Sequence, residues 1–191
     1  MNSCRPLLLA AWLSLSLAAQ GTEPASIGVQ VRASAAEAGL KDATGSSLPG
    51  LGASLLAELE YGEGYRARLD LGYDQWLKGD LGSKPGSEGS VSAFHVGVEG
   101  VMMLNPDESP SRGPYLLAGA GGYVWDVQEE DSAPHTTTKR RGTHVAGTLG
   151  LGYRLAKSLD VELKVLAGQV VPTLSAAAIQ IGVTYRFTPK S

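Results

Sequence analysis

Apolar and polar residues alternate along most of this chain in segments of about ten residues, separated by turn-forming Gly, Pro, Asn and Asp. The last segment is the clearest: Ala177, Ile179, Ile181, Val183, Tyr185 and Phe187 share one face, and Ala178, Gln180, Gly182, Thr184 and Arg186 the other. Successive side chains of an extended chain point to opposite sides, so a period of two is a strand with one greasy face and one polar face. Leu159, Val161, Leu163, Val165 and Ala167 alternate with Asp160, Glu162 and Lys164 in the same way. So do Tyr65, Ala67, Leu69, Leu71 and Tyr73 with Arg66, Arg68, Asp70, Gly72 and Asp74. Noisier versions run from Ile27 to Ser34, Ser54 to Tyr61, Phe94 to Met102 and His144 to Arg154. An eighth segment, Tyr115 to Trp125, is so rich in Gly and Ala that neither face is distinguished. The pattern predicts eight strands.

Which face is inside separates a soluble sheet protein from a membrane one. The polar faces carry Arg32, Arg66, Arg68, Arg154, Lys164 and Arg186 together with Glu58, Glu60, Asp70, Asp74, Glu99, Asp160 and Glu162. These signs balance, as expected for a salt-bridge network inside a narrow lumen. The greasy faces of the seven assignable strands hold no charge, and an Arg or Lys placed at mid-membrane there would cost roughly 2–4 kcal/mol. Tyr61, Tyr65, Tyr73, Tyr153, Tyr185 and Phe187 lie near strand ends on those faces, where interfacial girdle residues are expected. A soluble barrel would have to bury all six in a small core. Connections alternate too. Gly62-Glu63-Gly64 and Ala156-Lys157 are tight turns, and Asn105 to Gly113 is a modest one. Glu37–Gly50, Leu77–Gly89, Gln128–Arg141 and Gln169–Ser175 are expected as mostly longer polar loops on the opposite rim. The expected fold is all-β: an eight-stranded antiparallel up-and-down transmembrane β-barrel, closed so that every backbone polar group is paired.

Residues 1–21 have a different grammar. Arg5 precedes the apolar run Leu7 to Leu17, and Ala18 and Ala19 follow, the order of a cleaved secretory signal peptide. The run is too short to span ~30 Å of hydrocarbon as a helix. The expected division is a signal peptide over 1–21 and a barrel domain over 22–191. Cleavage removes Cys4, the only cysteine, and with it any thiol nucleophile or disulfide.

The C-terminal run Ile179-Gln180-Ile181-Gly182-Val183-Thr184-Tyr185-Arg186-Phe187 resembles the terminal strand of bacterial outer-membrane barrels. Gly113-Pro114-Tyr115 with the Gly-Ala stretch through Tyr123 is similar to a strand of small barrels of the OmpA, OmpX and OmpW type. The resemblance covers the mature chain and implies location in the bacterial outer membrane. It also implies that Ile181, Val183, Tyr185 and Phe187 form a sorting signal read by the barrel-assembly machinery. Thr188 to Ser191 extend beyond the Phe that usually ends such chains.

Sites for chemistry are sparse. His95, His135 and His144 show neither HExxH nor clustered metal-ligand spacing, so no metal and no cofactor is expected. Neither His95 nor His144 is followed two positions on by the Ser of lipid A deacylase barrels, which leaves a serine nucleophile without a base. A formal net charge of -3 with only 18% charged residues leaves no basic face for nucleic acid. Lys139-Arg140-Arg141 offers three adjacent cations for lipopolysaccharide phosphates, set against Glu129, Glu130 and Asp131 earlier in the same segment. The function expected is a non-enzymatic monomeric barrel with a charged, plugged lumen, contacting membrane lipids and lipopolysaccharide and serving envelope integrity or surface interaction. The alternatives are a narrow channel for a small solute and an outer-leaflet lipid-modifying enzyme.

Overall fold

The protein is described by a computed structural model covering residues 26–44, 49–62, 64–81, 86–105, 112–132, 135–172 and 174–187. The expected signal peptide, 1–21, and the tail after Phe187 lie outside these residues, as does the Tyr61 side chain. Eight strands follow in chain order: β1 Ser26–Glu37, β2 Gly50–Gly62, β3 Tyr65–Asp80, β4 Ser87–Met103, β5 Gly113–Ser132, β6 His135–Ala156, β7 Leu159–Val171 and β8 Leu174–Phe187. Each pairs antiparallel with the next, and β1 pairs with β8 from Ile27↔Phe187 to Glu37↔Ala177, closing the barrel. Closure satisfies the ladders on both sides of every strand, the condition a sheet must meet in lipid.

The outward faces are greasy. Among the described residues twenty-four large hydrophobic side chains are exposed, including Val31, Leu51, Leu149, Leu151, Ile181 and Phe187. A continuous apolar surface of this size is not solvated in water; it is a surface for hydrocarbon. Two aromatic levels bound it. Tyr65, Tyr153, Tyr185 and Phe187 mark the end where β1 begins and β8 finishes, and Tyr73 and Phe94 sit side by side near the other end. On β3 the two levels are eight residues apart, about 27 Å along a strand and about 20 Å along the axis of a barrel tilted by ~40°.

The opposite rim differs from the sequence expectation. Three of the four expected loops are largely strand: β5 and β6, of 20 and 22 residues, run on as a tall hairpin, while β3 extends to Asp80 with β4 resuming at Ser87. In the segment 169–175, β7 runs on to Val171 and β8 starts at Leu174. In the first connection, α1 (Ala38–Thr44) folds into the barrel mouth against β8, β4, β1 and β3. It fits because two glycines let it approach. A Cβ on Gly39 would stand 2.7 Å from the Ser175 carbonyl oxygen, and one on Gly89 would meet the Ala43 carbonyl.

Beneath α1, Leu40 and Ala43 join Trp76, Val91, Tyr123, Trp125, Val127, Leu166 and Val170 in an apolar layer. A second cluster, Val101, Met103, Tyr115 and Leu117, lies on the β4–β5 wall at the short-turn end. Charge occupies the space between.

Candidate functional site

Among the described residues, the inward faces of the strands place five buried cations and six buried carboxylates in the lumen: Arg32, Arg68, Arg154, Lys164 and Arg186, with Glu58, Asp70, Asp74, Glu99, Asp160 and Glu162. Arg68 is the hub. Its guanidinium meets Glu58 of β2 at 2.9 Å, Glu99 of β4 at 3.3 Å and Glu162 of β7 at 2.6 Å, so one side chain from β3 ties three other strands across the interior. A planar, permanently charged group with five N–H donors suits this task better than an ammonium.

The network continues in both directions. Lys164 lies 3.2 Å from Glu99, 3.7 Å from Glu162 and 3.8 Å from Asp70. Towards α1, Arg32 grips Asp74 with Nε and Nη2, both at 2.7 Å, and His95 sits between Asp70 (3.2 Å) and Asp74 (3.4 Å). Towards the end where β1 begins, Arg154 and Arg186 both contact Asp160 and Glu58. Arg66 meets Glu58 at 3.5 Å and Glu60 at 3.1 Å. Glu60 departs from its expected interior place: its side chain is 54% exposed, at the rim.

Neutral groups complete the interior. The Tyr115 hydroxyl donates to Glu162 at 2.6 Å, and Gln30 Nε2 donates to Glu162 at 2.8 Å and to Thr184 at 2.9 Å. Above the ions, His95, Tyr123, Trp125 and Trp76 stack in sequence with ring centroids 4.8, 5.4 and 5.7 Å apart. Both indole N–H groups and the Ser34 hydroxyl lack a hydrogen-bond partner among the described residues.

Sequence reasoning missed α1, Trp76 and the facing of β5. On β5 the inward positions are Tyr115, Leu117, Tyr123, Trp125 and Val127, so the apolar residues point into the lumen there and the hydropathy pattern gives no sign of it. The alternation of Gly119 to Gly122 with small residues hides the rest.

On the outer hairpin, alternation splits the three adjacent cations. Lys139 and Arg141 lie on the outward face of β6, Arg141 with 72% of its side chain exposed, 3.8 Å from Asp126. Arg140 points to the mouth and pairs with Glu129. Tyr73, Phe94, Val124 and Thr143 form one lateral row of register partners, and Gln75, Ser92, Asp126 and Arg141 form the next outward-facing row beyond it. Arg141 therefore stands one step past the aromatic level. Further out, Lys78 bridges Glu130 (2.6 Å) and Glu88 (2.5 Å), whose hydrogen bonds hold its ammonium above its ordinary value.

A closed eight-stranded barrel with hydrocarbon-facing side chains outside and ion pairs inside is a transmembrane barrel of the outer-membrane class. Residues 7–187 match the model of the outer membrane protein beta-barrel domain family, and the chain belongs to that family. The protein is an integral β-barrel of the bacterial outer membrane. No curated protein matches it in sequence. Among solved structures it is similar to Ail, the attachment invasion locus protein of Yersinia pestis, at 13% identity and a TM-score of 0.58, over 85% of this chain and 97% of that one. The N-terminal β-barrel domain of Pseudomonas aeruginosa OprF has the same identity and TM-score, over 86% and 98%. Neisserial surface protein A matches at 11% identity and a TM-score of 0.54, over 85% and 96%. At these identities the likeness is one of fold.

Proposed function

We infer that this protein is a non-enzymatic outer-membrane barrel with a plugged lumen, serving envelope integrity or surface interaction through its outer hairpins. The observation that carries the reading is Arg68, fully buried and bound to carboxylates from three strands. Eight strands leave room for side chains and little else. The ion pairs fill the middle of that space, and the apolar layer under α1 closes it again. Among the described residues, neither His95 nor any other inward group combines a nucleophile with access for a lipid, which favours a structural role over an enzymatic one. A narrow channel would require breaking both barriers.

Within this reading, Lys139 and Arg141 contact lipopolysaccharide phosphates from the outward face, while Arg140 does not. The lipid-facing residues Ile181, Val183, Tyr185 and Phe187 of β8 serve as the signal for the barrel-assembly machinery, and the barrel acts as a monomer because it closes on its own strands. Planar-bilayer recording tests the plug. The purified barrel should insert without a steady conductance; reproducible unitary currents would replace the plug with the channel alternative.

A further inference from the structure

The outer mouth holds a cavity of about 460 Å³ that the plug does not use, lined by Asp42 and Ala43 of α1, Leu81, Glu129, Thr138, Arg140 and Leu174. Its size is that of a small-molecule site. Ala43 and Leu81 are buried and form, with half-buried Leu174, an apolar floor continuous with the layer over the lumen. The polar groups stand on the walls. Arg140 and Glu129 neutralise one another as an ion pair. Asp42 is exposed and makes no hydrogen bond or ion pair with any described residue, so among the described lining residues its carboxylate is the unpaired charge. The wall that carries it is held in place by the close approaches at Gly39 and Gly89, which fix α1 against β8 and β4.

We propose that this cavity binds a small organic amine with a compact apolar body, the ammonium on Asp42 and the body on Ala43, Leu81 and Leu174. A net charge of one carboxylate favours a cation over an anion, and an apolar floor beside it favours an amphipathic cation over a hydrated metal ion. Thr138 offers a hydroxyl to a polar substituent.

Phenethylamine and phenylacetate, equal in apolar body and opposite in charge, are the probes. They are titrated into the barrel in the non-ionic detergent dodecyl maltoside, with amide NMR shifts as readout. Phenethylamine should give saturable shifts at Asp42, Leu81, Thr138 and Leu174, and phenylacetate none. Asp42→Asn should weaken the amine by about two- to fivefold, the loss of one solvent-screened ion pair. Arg140→Gln should retain the amine, because a guanidinium is no ligand for an ammonium. Leu174→Trp, which fills the cavity without touching a charge, should abolish the shifts. Equal binding of phenylacetate, an unchanged affinity in folded Asp42→Asn, or loss of amine binding in Arg140→Gln overturns the proposal. Shifts spread over the lipid-facing strands, the signature of partition into the micelle, overturn it as well. None of these results bears on the plug, which conductance tests separately.

Discussion

Arg32 of β1 and Asp74 of β3 are joined by two parallel hydrogen bonds of 2.7 Å, across a strand that separates them in the sheet. Both are buried, so neither charge has water to fall back on. Removing one partner of such a pair leaves the other uncompensated at a cost of roughly 3–5 kcal/mol, whereas replacing both with apolar groups of similar volume is close to neutral. Asp74→Ala should therefore lower the unfolding free energy by about 3–5 kcal/mol in urea titrations of the barrel in lipid vesicles. Arg32→Met with Asp74→Leu should recover most of that loss. Equal losses in the single and the double variant would show that the pair is not the source.

The seat of α1 rests on the close approach of the Ala43 carbonyl to Gly89. Gly89→Val should push the helix out of the mouth without unpairing the strands. Leu40 would then leave Trp76 and Trp125, both now fully buried, open to solvent. Acrylamide quenching of tryptophan fluorescence should rise, while heat-modifiable gel migration still reports a folded barrel.

Tyr115 and Gly152 are register partners on β5 and β6, and the phenol ring lies where a Gly152 side chain would begin: a Cβ there would stand 2.1 Å from Cζ. The hydroxyl beyond the ring holds Glu162, so the ring is fixed at both ends. Gly152→Ala should cost about 1–3 kcal/mol as an overpacking change. The urea midpoint should fall with little change in slope, since the surface exposed on unfolding stays the same.

Lys139 and Arg141 share the outward face of β6 and Arg140 does not. Lys139→Gln with Arg141→Gln should weaken binding of the barrel to lipopolysaccharide, more so at low salt, where screening is least. Arg140→Gln should leave that binding unchanged. A loss confined to Arg140→Gln would move the contact to the mouth.

The fold was legible where one face of a strand meets lipid and the other meets ions, because hydrophobicity then changes sign at every residue. β3, β7 and β8 satisfy this along their membrane-spanning lengths. It fails on β5, where Tyr115, Leu117, Tyr123 and Trp125 fill the lumen and small residues face out, so both faces read alike. It also fails beyond the membrane. The stretch from His135 to Arg141 is strand with exposed residues on nearly every position, and a polar run without alternation looks like a loop. The helix α1, only seven residues long and containing Gly39, gives no helical period to detect. Alternation assigns residues such as Arg68 and Glu162 to polar faces, but their meeting depends on register across several strands, which no local pattern carries.

Oxygen accessibility of nitroxide labels introduced one at a time at Val145, Ala146, Thr148, Leu149 and Leu151 on β6, in lipid vesicles, tests the inversion of inside and outside most directly. Leu149 is 66% exposed and, with Val145 and Leu151, faces hydrocarbon, whereas Ala146 and Thr148 face the lumen. Labels at 145, 149 and 151 should be highly accessible to lipid-dissolved oxygen and those at 146 and 148 protected, with a period of two. High oxygen accessibility at 146 and 148, or no alternation at all, would contradict a barrel with its ion pairs within and its apolar side chains in lipid.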